Sequence, residues 1–221
     1  MKKYVKAAGL LIFMVFSFYY TEKVALYVQN QTPLKKEIIT FKEKGNIDCI
    51  NATIEGNYII PGINGLEINV NKSYNNMKSY NVFNESKLVY DEVSPNIKLN
   101  DYPNKVIISG NKTKNAISIL VNNKNNILDK YNIIYNSVND IPYCAYLVNN
   151  CSNNQKIYTT NINNENIYNY LKNIKRGDII YLSDDLKEDN IILLLNKIKF
   201  YNLNIMSITN HLSEHNSNLH L

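Results

Sequence analysis

The chain has 221 residues, which is long enough for one well-packed domain with an additional segment. Its formal net charge is +5 at pH 7, and nearly all of the positive charge is lysine because Arg176 is the only arginine. Nucleic-acid-binding proteins use arginine for bidentate contacts and cluster basic residues among aromatic ones, and this sequence has no such cluster. We therefore expect no nucleic-acid partner.

The amino terminus combines early lysines with an uncharged run, Ala7–Tyr20. This run is short for a membrane span, which takes roughly 17–25 residues, and it fits the core of a signal peptide equally well. No small-x-small cleavage site follows, and apolar residues resume at Val24–Val28. We predict a single-pass signal anchor over residues 1–30, with a cleaved signal peptide as the alternative. Both interpretations place the rest of the chain outside the cell membrane.

The next two elements are a helix and a hairpin. The segment Thr32–Lys44, "TPLKKEIITFKEK", has apolar residues at helical spacing and predicts an amphipathic juxtamembrane helix that Gly45 ends. Two apolar runs then flank "EGN", which predicts a β-hairpin with Gly56 at its turn.

A short polar helix is predicted beyond the hairpin. The pattern of "NKSYNNMKSY" indicates a helix over Asn71–Tyr80, for which Asn71 or Ser73 is the expected cap. The following stretch, "NESKLVYDEVSPNIKL", indicates extended or irregular structure. We assign residues 31–103 to the juxtamembrane helix and a small α+β extension.

From Lys105 onward, strand-like and helix-like segments alternate. The strand-like segments are "KVIIS", "AISILV", "NIIYN", "CAYLV", "KIYTT", "DIIYL" and "LNIMSI", and the helical ones are "NNILDKYN", "NENIYNYLKNI" and "EDNIILLLNKIKFYN". This alternation predicts an α/β domain with largely parallel strands. The best-defined unit, Asp178–Ile208, has the strand, loop, helix and strand of a right-handed crossover.

Polar residues follow one of these strands in "RGDIIYLSDD". Ligands and catalytic groups usually lie at the carboxyl ends of parallel strands, so Ser183, Asp184 and Asp185 are candidates for a site or for its remnant. The interpretation we favour is structural: Asp184, Asp185 or Asp189 caps the following helix, Ile191–Tyr201.

The three cysteines, Cys49, Cys144 and Cys151, include no C-x-x-C pair and match no common zinc spacing. A disulfide between Cys144 and Cys151 and a set of buried free thiols are both compatible with the sequence. We predict no bound cofactor.

The closing segment "IKRGDIIYLSDD…NIILLLNKIKFYNLNIMSITNHLSE" resembles that of polysaccharide deacetylases, the carbohydrate esterase family 4. "NAISILVNNKNN" occupies the place of the family's first motif, usually "valTFDDG". The preceding extension resembles that of a membrane-anchored Firmicutes subgroup. The resemblance implies a truncated (β/α) barrel-like deacetylase domain over residues 104–221, with the extension and the anchor before it.

The same resemblance implies that catalysis is lost. In the family, one Asp and two His hold a divalent metal, a second Asp acts as base and a histidine as acid. Here the Asp-Asp pair falls on Asn122 and Asn123, and the acid falls on Ser183. No histidine occurs in the region 132–154, where the family's H-[ST]-x-x-H motif is expected, and only Pro142 remains of its Arg-x-x-Pro motif.

The tail sequence "HLSEH", His211–His215, matches the inverted zinc-protease motif H-x-x-E-H. On a helix, His211 and His215 would share one face. No acidic ligand follows, and the motif lies at the wrong end of the chain for the deacetylase role. We expect adventitious metal binding at most and predict no metal site.

We predict a catalytically inactive, membrane-anchored protein with a binding or scaffolding role at the cell envelope. Its expected partners are the cell membrane and either cell-wall glycan or an envelope protein. The first alternative is an active metal-dependent hydrolase that removes N-acetyl groups from glycan. The second alternative is a structural partner of an active paralogue.

Overall fold

The computed structural model describes residues 2–145 and 155–216, and for residues 2–8, 26 and 29 it describes the backbone alone. The chain divides into two compact units. The smaller unit comprises Met1–Ile47 and Leu66–Asp91, and the larger comprises Asp48–Gly65 and Glu92–Leu221.

In chain order the described helices are α1 (Lys2–Asn30), α2 (Pro33–Gly45), α3 (Val70–Met77), α4 (Asn126–Lys130), α5 (Ile167–Leu171), α6 (Glu188–Phe200) and α7 (Ile208–Leu212). The described strands are β1 (Thr53–Glu55), β2 (Tyr58–Ile60), β3 (Gly65–Ile68), β4 (Tyr90–Val93), β5 (Val106–Ile107), β6 (Ala116–Val121), β7 (Asn136–Ser137), β8 (Cys144–Ala145), β9 (Lys156–Ile157), β10 (Thr160–Ile162), β11 (Ile179–Leu182) and β12 (Asn204–Ile205).

Helix α1 contains the uncharged run of the amino terminus, and its apolar side chains from Leu10 to Tyr20 are exposed. Among the helices in the described part of the chain, none combines the length and the apolar character that a membrane crossing requires. The structure therefore does not support the predicted transmembrane span.

The core of the smaller unit lies between α2 and α3. Leu34 and Ile38 of α2 are buried together with Ile68 and Met77. The helix predicted to end at Gly45 is confirmed as α2.

The predicted cap of the next helix is wrong. Helix α3 begins after Asn69, whose side chain accepts a hydrogen bond from Lys72 N at 2.9 Å. Neither Asn71 nor Ser73 is the cap, because Ser73 is buried within the helix and its Oγ accepts from Val89 N at 2.9 Å.

The first sheet of the larger unit has the strand order β1-β2-β5-β9-β8. The predicted hairpin is confirmed: β1 and β2 are antiparallel, and Gly56 at their turn has φ +58°. Strand β2 also pairs in parallel with β5, with Ile59 opposite Ile107. Because of this pairing the hairpin belongs to the larger unit, whereas the sequence placed it in the amino-terminal extension.

The second sheet has the order β10-β11-β6-β12, and these neighbours are parallel. The predicted α/β domain with largely parallel strands is confirmed. The described strands form open sheets and not a closed barrel. The two ends of the unit Asp178–Ile208 lie on opposite sides of β6, since β11 and β12 flank that strand.

Strand β6 separates two hydrophobic clusters of the larger unit, and all six of its residues are buried. Ile117, Ile119 and Val121 belong to a cluster that includes residues of α5 and α6. Leu120 belongs to a second cluster that includes Ile59 of the first sheet.

Helix α6 begins at Glu188, the first residue of the predicted helical segment "EDNIILLLNKIKFYN", and not at Ile191, where the capping prediction placed its start. Lys187 at its amino-terminal cap makes no side-chain capping bond. The prediction that Asp184, Asp185 or Asp189 caps this helix is therefore wrong.

Two further predictions concern the segment before β9. The strand predicted in "NIIYN", residues 132–136, is wrong for residues 132–135, because strand β7 comprises only Asn136–Ser137. The proposed disulfide from Cys144 involves Cys151, which lies outside the described residues. Cys49 is a free, exposed cysteine.

Candidate functional site

The candidate site lies at the carboxyl ends of β6 and β11. These neighbouring strands are parallel, and their last residues, Val121 and Leu182, are register partners. The residues that follow, Asn122 and Ser183, therefore leave the same edge of the sheet. The carboxyl edge of a parallel sheet is the usual place for a ligand site.

The predicted site residues meet at this edge. Asn122 Nδ2 and Asn123 Nδ2 both donate to Asp184 Oδ2, at 3.2 and 3.4 Å. The Ser183 hydroxyl donates to Asp185 Oδ1. The asparagines and the polar loop after β11, which lie about sixty positions apart in the sequence, thus form one cluster.

A cleft of about 440 Å³ adjoins the asparagines. Its other walls come from the segment that enters and leaves β7, and its lining residues are Asn122, Asn123, Lys124, Tyr135, Asn136, Ser137, Asn139 and Asp140. The Ser137 hydroxyl donates to the Asn122 carbonyl at 3.3 Å. The cleft therefore offers amides, hydroxyls and one charge of each sign.

The sequence analysis did not predict that residues 135–140 line this cleft. Strand β7 pairs in parallel with β6, with Ser137 opposite Val121, so its carboxyl end reaches the same edge. The polar run after "NIIYN" was the available signal, since the same rule had singled out Ser183. Tyr135 donates to Asp129 Oδ1 at 2.8 Å, and this bond raises the pKa of the phenol.

The donor set of this edge does not fit the metal that the family resemblance implies. The cluster presents the carboxylate of Asp184, with two neutral amides already bonded to it. The family's site requires an anionic ligand with two imidazoles, and neither Asn122 nor Asn123 supplies a charge. Across the described residues, no group of three or more His, Cys, Asp or Glu side chains is arranged to hold a metal.

The two histidines of the tail motif are not on one helix face. Helix α7 ends at Leu212, so His211 belongs to the helix and His215 lies beyond it. His211 is fully buried, with Nδ1 2.8 Å from Ser118 Oγ. His215 is exposed and its Nδ1 lies 2.6 Å from Glu92 Oε2. The expected shared face is wrong, because the chain turns after Leu212.

Burial also determines the protonation of His211. Desolvation, assisted by the charge of Lys114, lowers the pKa of this imidazole to about 4. The side chain is therefore neutral at neutral pH and lies in the core rather than at the carboxyl edge.

Solved structures with a similar fold are known. Wild-type BA3943, a CE4 family pseudoenzyme from Bacillus anthracis, aligns with a TM-score of 0.55 and 17% identity over 84% of this chain and 96% of that chain. A BA3943 mutant described as a CE4 family pseudoenzyme with restored enzymatic activity aligns with a TM-score of 0.54 and 16% identity over 82% of this chain and 98% of that chain. This chain therefore has a polysaccharide-deacetylase-like fold.

Sequence comparison adds one curated relative. Residues of this chain are 33% identical to the uncharacterized protein YlxY of Bacillus subtilis (strain 168) over 94 positions, which are 42% of this chain and 30% of that protein. The chain thus matches less than a third of the length of this relative. No protein-family model matches the sequence.

Proposed function

We propose that this chain is a non-catalytic, deacetylase-like protein that binds glycan at the cell envelope. The observation that carries the proposal is the bonding of Asn122 and Asn123 to Asp184 at the carboxyl edge. At the place where the family has its metal ligand and base, this chain has two amides that are engaged with a carboxylate.

The chemistry of these side chains opposes hydrolysis. An asparagine amide does not accept a proton at neutral pH, so neither Asn122 nor Asn123 acts as a general base. A serine hydroxyl at Ser183 is far too weakly acidic to replace an imidazolium as general acid. The Asp184 carboxyl group accepts from both amides, and one carboxyl group without an acid partner does not complete the mechanism.

The adjoining cleft supports a binding role. It presents the side-chain amides of Asn122 and Asn136 and the hydroxyl of Ser137 beside the ring of Tyr135. Such a mixture of donors and acceptors next to an aromatic face is suited to a ligand rich in hydroxyl groups. The similarity of the fold to wild-type BA3943, which is a CE4 family pseudoenzyme, also supports a non-catalytic role.

The expected location of this role is outside the cell membrane, with residues 1–30 as the anchor or export signal. Early lysines followed by the uncharged run Ala7–Tyr20 support this part of the proposal. Protease added to intact cells should degrade the larger unit, and the chain should sediment with membranes. Protection from protease in intact cells would contradict the proposed location.

One set of measurements separates the candidate functions. The full-length chain is titrated with a tetramer of N-acetylglucosamine, and acetate release is followed with and without Zn²⁺ or Co²⁺. We expect oligosaccharide binding and no acetate release. Metal binding should be no tighter than about 1 mM, because the donor set lacks imidazoles. Ser137→Ala should weaken oligosaccharide binding, whereas Asn173→Ala, an exposed asparagine that does not line this cleft, should not.

Two results would replace the proposal, and a third would reveal an additional metal site. Acetate release that a chelator abolishes would establish the active hydrolase instead. Absence of glycan binding together with co-purification of an active paralogue would establish a structural partner. Micromolar metal binding that survives His215→Ala would reveal a metal site other than the tail histidine.

A further inference from the structure

The larger unit contains another pocket, of about 380 Å³, that shares no lining residue with the carboxyl-edge cleft. Its lining residues are Asn64, Ser94, Lys98, Leu99, Asn100, Tyr143, Thr209, Leu212, Ser213, Glu214 and His215. The volume lies in the range of small-molecule sites, roughly 300–1,000 Å³. This pocket has no role in the family chemistry considered above.

One cationic and one anionic side chain, Lys98 and Glu214, line this pocket, and the described ion pairs include neither of them. Glu214 Oε1 accepts from Leu99 N at 2.9 Å and from Gly62 N at 3.3 Å, which places this carboxylate against the backbone next to Lys98. Among the ion pairs in the described part of the chain, none involves Lys98. The Lys98 ammonium and the Glu214 carboxylate therefore both remain available to a ligand.

The segment that carries Glu214 is held in place without a ligand. Glu92 Oε1 accepts from Asn216 N at 2.8 Å, and Glu92 Oε2 accepts from Asn64 Nδ2 at 3.0 Å and contacts His215 Nδ1 at 2.6 Å. Burial raises the pKa of Glu92, but these bonds outweigh it and hold the pKa below its ordinary value. A wall that is fixed beforehand costs a ligand less ordering on binding.

The other lining residues are mainly polar: Asn64, Ser94, Asn100, Thr209, Ser213 and His215. Leu99 and Leu212 are 3% and 1% exposed and supply a small apolar surface. Tyr143 is half-buried, and burial raises the pKa of its phenol, so the hydroxyl remains a neutral donor. The site thus places one cation and one anion among neutral polar groups beside a small apolar surface.

We propose that this pocket binds a small zwitterion of the α-amino-acid class. Its carboxylate pairs with Lys98, its ammonium pairs with Glu214, and an apolar side chain contacts Leu99 and Leu212. A ligand with a single charge is attracted by one wall residue and repelled by the other, whereas a zwitterion complements both. A neutral polyol leaves both charges without a counter-charge. This proposal is independent of the proposed glycan binding.

The test compares three matched probes on the full-length chain by calorimetry: L-leucine, L-leucinamide, which lacks the carboxylate, and 4-methylpentanoate, which lacks the ammonium. We expect L-leucine to bind with a Kd of about 1 mM or tighter. Each analogue should bind at least about tenfold more weakly, since it loses a hydrogen bond between charged groups.

Two variants assign the charges. Lys98→Met should weaken leucine binding and abolish the preference for leucine over leucinamide. Glu214→Gln keeps an acceptor for Leu99 N and should abolish the preference for leucine over 4-methylpentanoate. Lys156→Met, an exposed lysine on strand β9 that does not line the pocket, is the matched control and should bind like the parent.

Several outcomes would overturn the proposal. These are absence of leucine binding at about 10 mM, equal affinity for the three probes, leucine binding that Lys98→Met leaves unchanged, or glucose binding more tightly than leucine. If Glu214→Gln fails to fold, as judged by its thermal transition, the probes on the parent chain and on Lys98→Met still decide the question.

Discussion

The histidine His211 lies in the hydrophobic core and not in the metal-binding motif that the sequence had matched. The Ser118 hydroxyl donates its one hydrogen to the Met206 carbonyl at 3.0 Å, so the 2.8 Å contact with His211 is a bond in which Nδ1–H donates to Ser118 Oγ. The imidazole is fully buried, and its lowered pKa keeps it neutral at neutral pH. The sequence had instead matched a zinc-protease motif here, for which adventitious metal binding was the expectation.

The first prediction is a loss of stability in mild acid. The unfolded chain protonates this histidine near its ordinary pKa of 6.5, whereas burial lowers the folded pKa to about 4. Because the unfolded state binds the proton more tightly, the free energy of unfolding falls as pH drops from 6.5 toward 4. Urea unfolding should show a loss of about 2 kcal/mol between about pH 7 and pH 5.

Two measurements connect this loss to His211. The variant His215→Gln should retain a decrease with pH, because the buried imidazole of His211 is still present. The NMR shifts of the His211 ring should not titrate above about pH 5 in the folded protein. A ring that titrates near its ordinary value would contradict the prediction.

The second prediction concerns Gly110, which lies against the same imidazole. A Cβ at this position would lie 2.3 Å from His211 ring atoms, and the ring has no free space because it is fully buried. Gly110→Ala should lower the free energy of unfolding by about 1–3 kcal/mol through overpacking. Gly9→Ala, where no atom lies within 4 Å of the added carbon, should not lower it. Equal stability of the two variants would contradict this account.

At the scale of the element, helix α6 is held at its amino end by a side chain from another loop. Asn164 Oδ1 accepts from Lys187 N at 3.1 Å and from Asn190 Nδ2 at 3.0 Å, and Asn164 Nδ2 donates to the Asp185 carbonyl at 2.9 Å. This amide satisfies a backbone donor that a local cap usually satisfies. The acidic residues before the helix, Asp184 and Asp185, therefore do not cap it and bond other side chains instead.

The third prediction tests this long-range cap. Asn164→Ala should destabilise the protein by about 1 kcal/mol, within the range measured for lost helix caps. Asn164→Asp keeps the acceptor oxygen beside the positive end of the helix but loses the donor to the Asp185 carbonyl, so it should recover only part of the loss. Asn196→Ala, an exposed position within α6, is the control. Equal stability of Asn164→Ala and the parent chain in chemical denaturation would contradict this role of Asn164.

At the scale of the whole larger unit, strand β6 lies between two hydrophobic clusters, one on each of its faces. Ile119 and its register partner Ile180 on β11 belong to one cluster, and Leu120 belongs to the other. Ile119 and Leu120, which are adjacent in sequence, thus pack in different clusters. Ile119 and Ile180, which lie on different strands, pack in the same cluster.

The fourth prediction is a pattern of coupling in double-mutant cycles. Ile119→Val should cost about 0.5–1.5 kcal/mol. Combined with Ile180→Val, its effect should depart from additivity by about 0.5 kcal/mol or more, because the two residues share one cluster. Combined with Leu120→Ala, the effects should add within about 0.5 kcal/mol. Strong coupling of Ile119 to Leu120 and none to Ile180 would contradict the assignment of these residues to two separate clusters.

The sequence by itself determined the local elements of this protein. Helix α2, the hairpin around Gly56 and the α/β alternation were all predicted, because the period of apolar residues and turn chemistry act over a few positions. It also singled out Asn122, Asn123 and Ser183, which follow strands whose carboxyl ends meet at one edge. Those local and topological rules were sufficient for the class of fold.

Only the tertiary structure decided which strands pair and which polar groups are buried. Strand β12 lies across β6 from β11, and Asn164 caps a helix 23 positions away. Glu92 meets His215 over 123 positions. The period of apolar residues indicates which face of a helix or strand is buried, but it does not indicate which other element that face packs against. Contacts between polar residues that are distant in sequence therefore depend on how the sheets assemble.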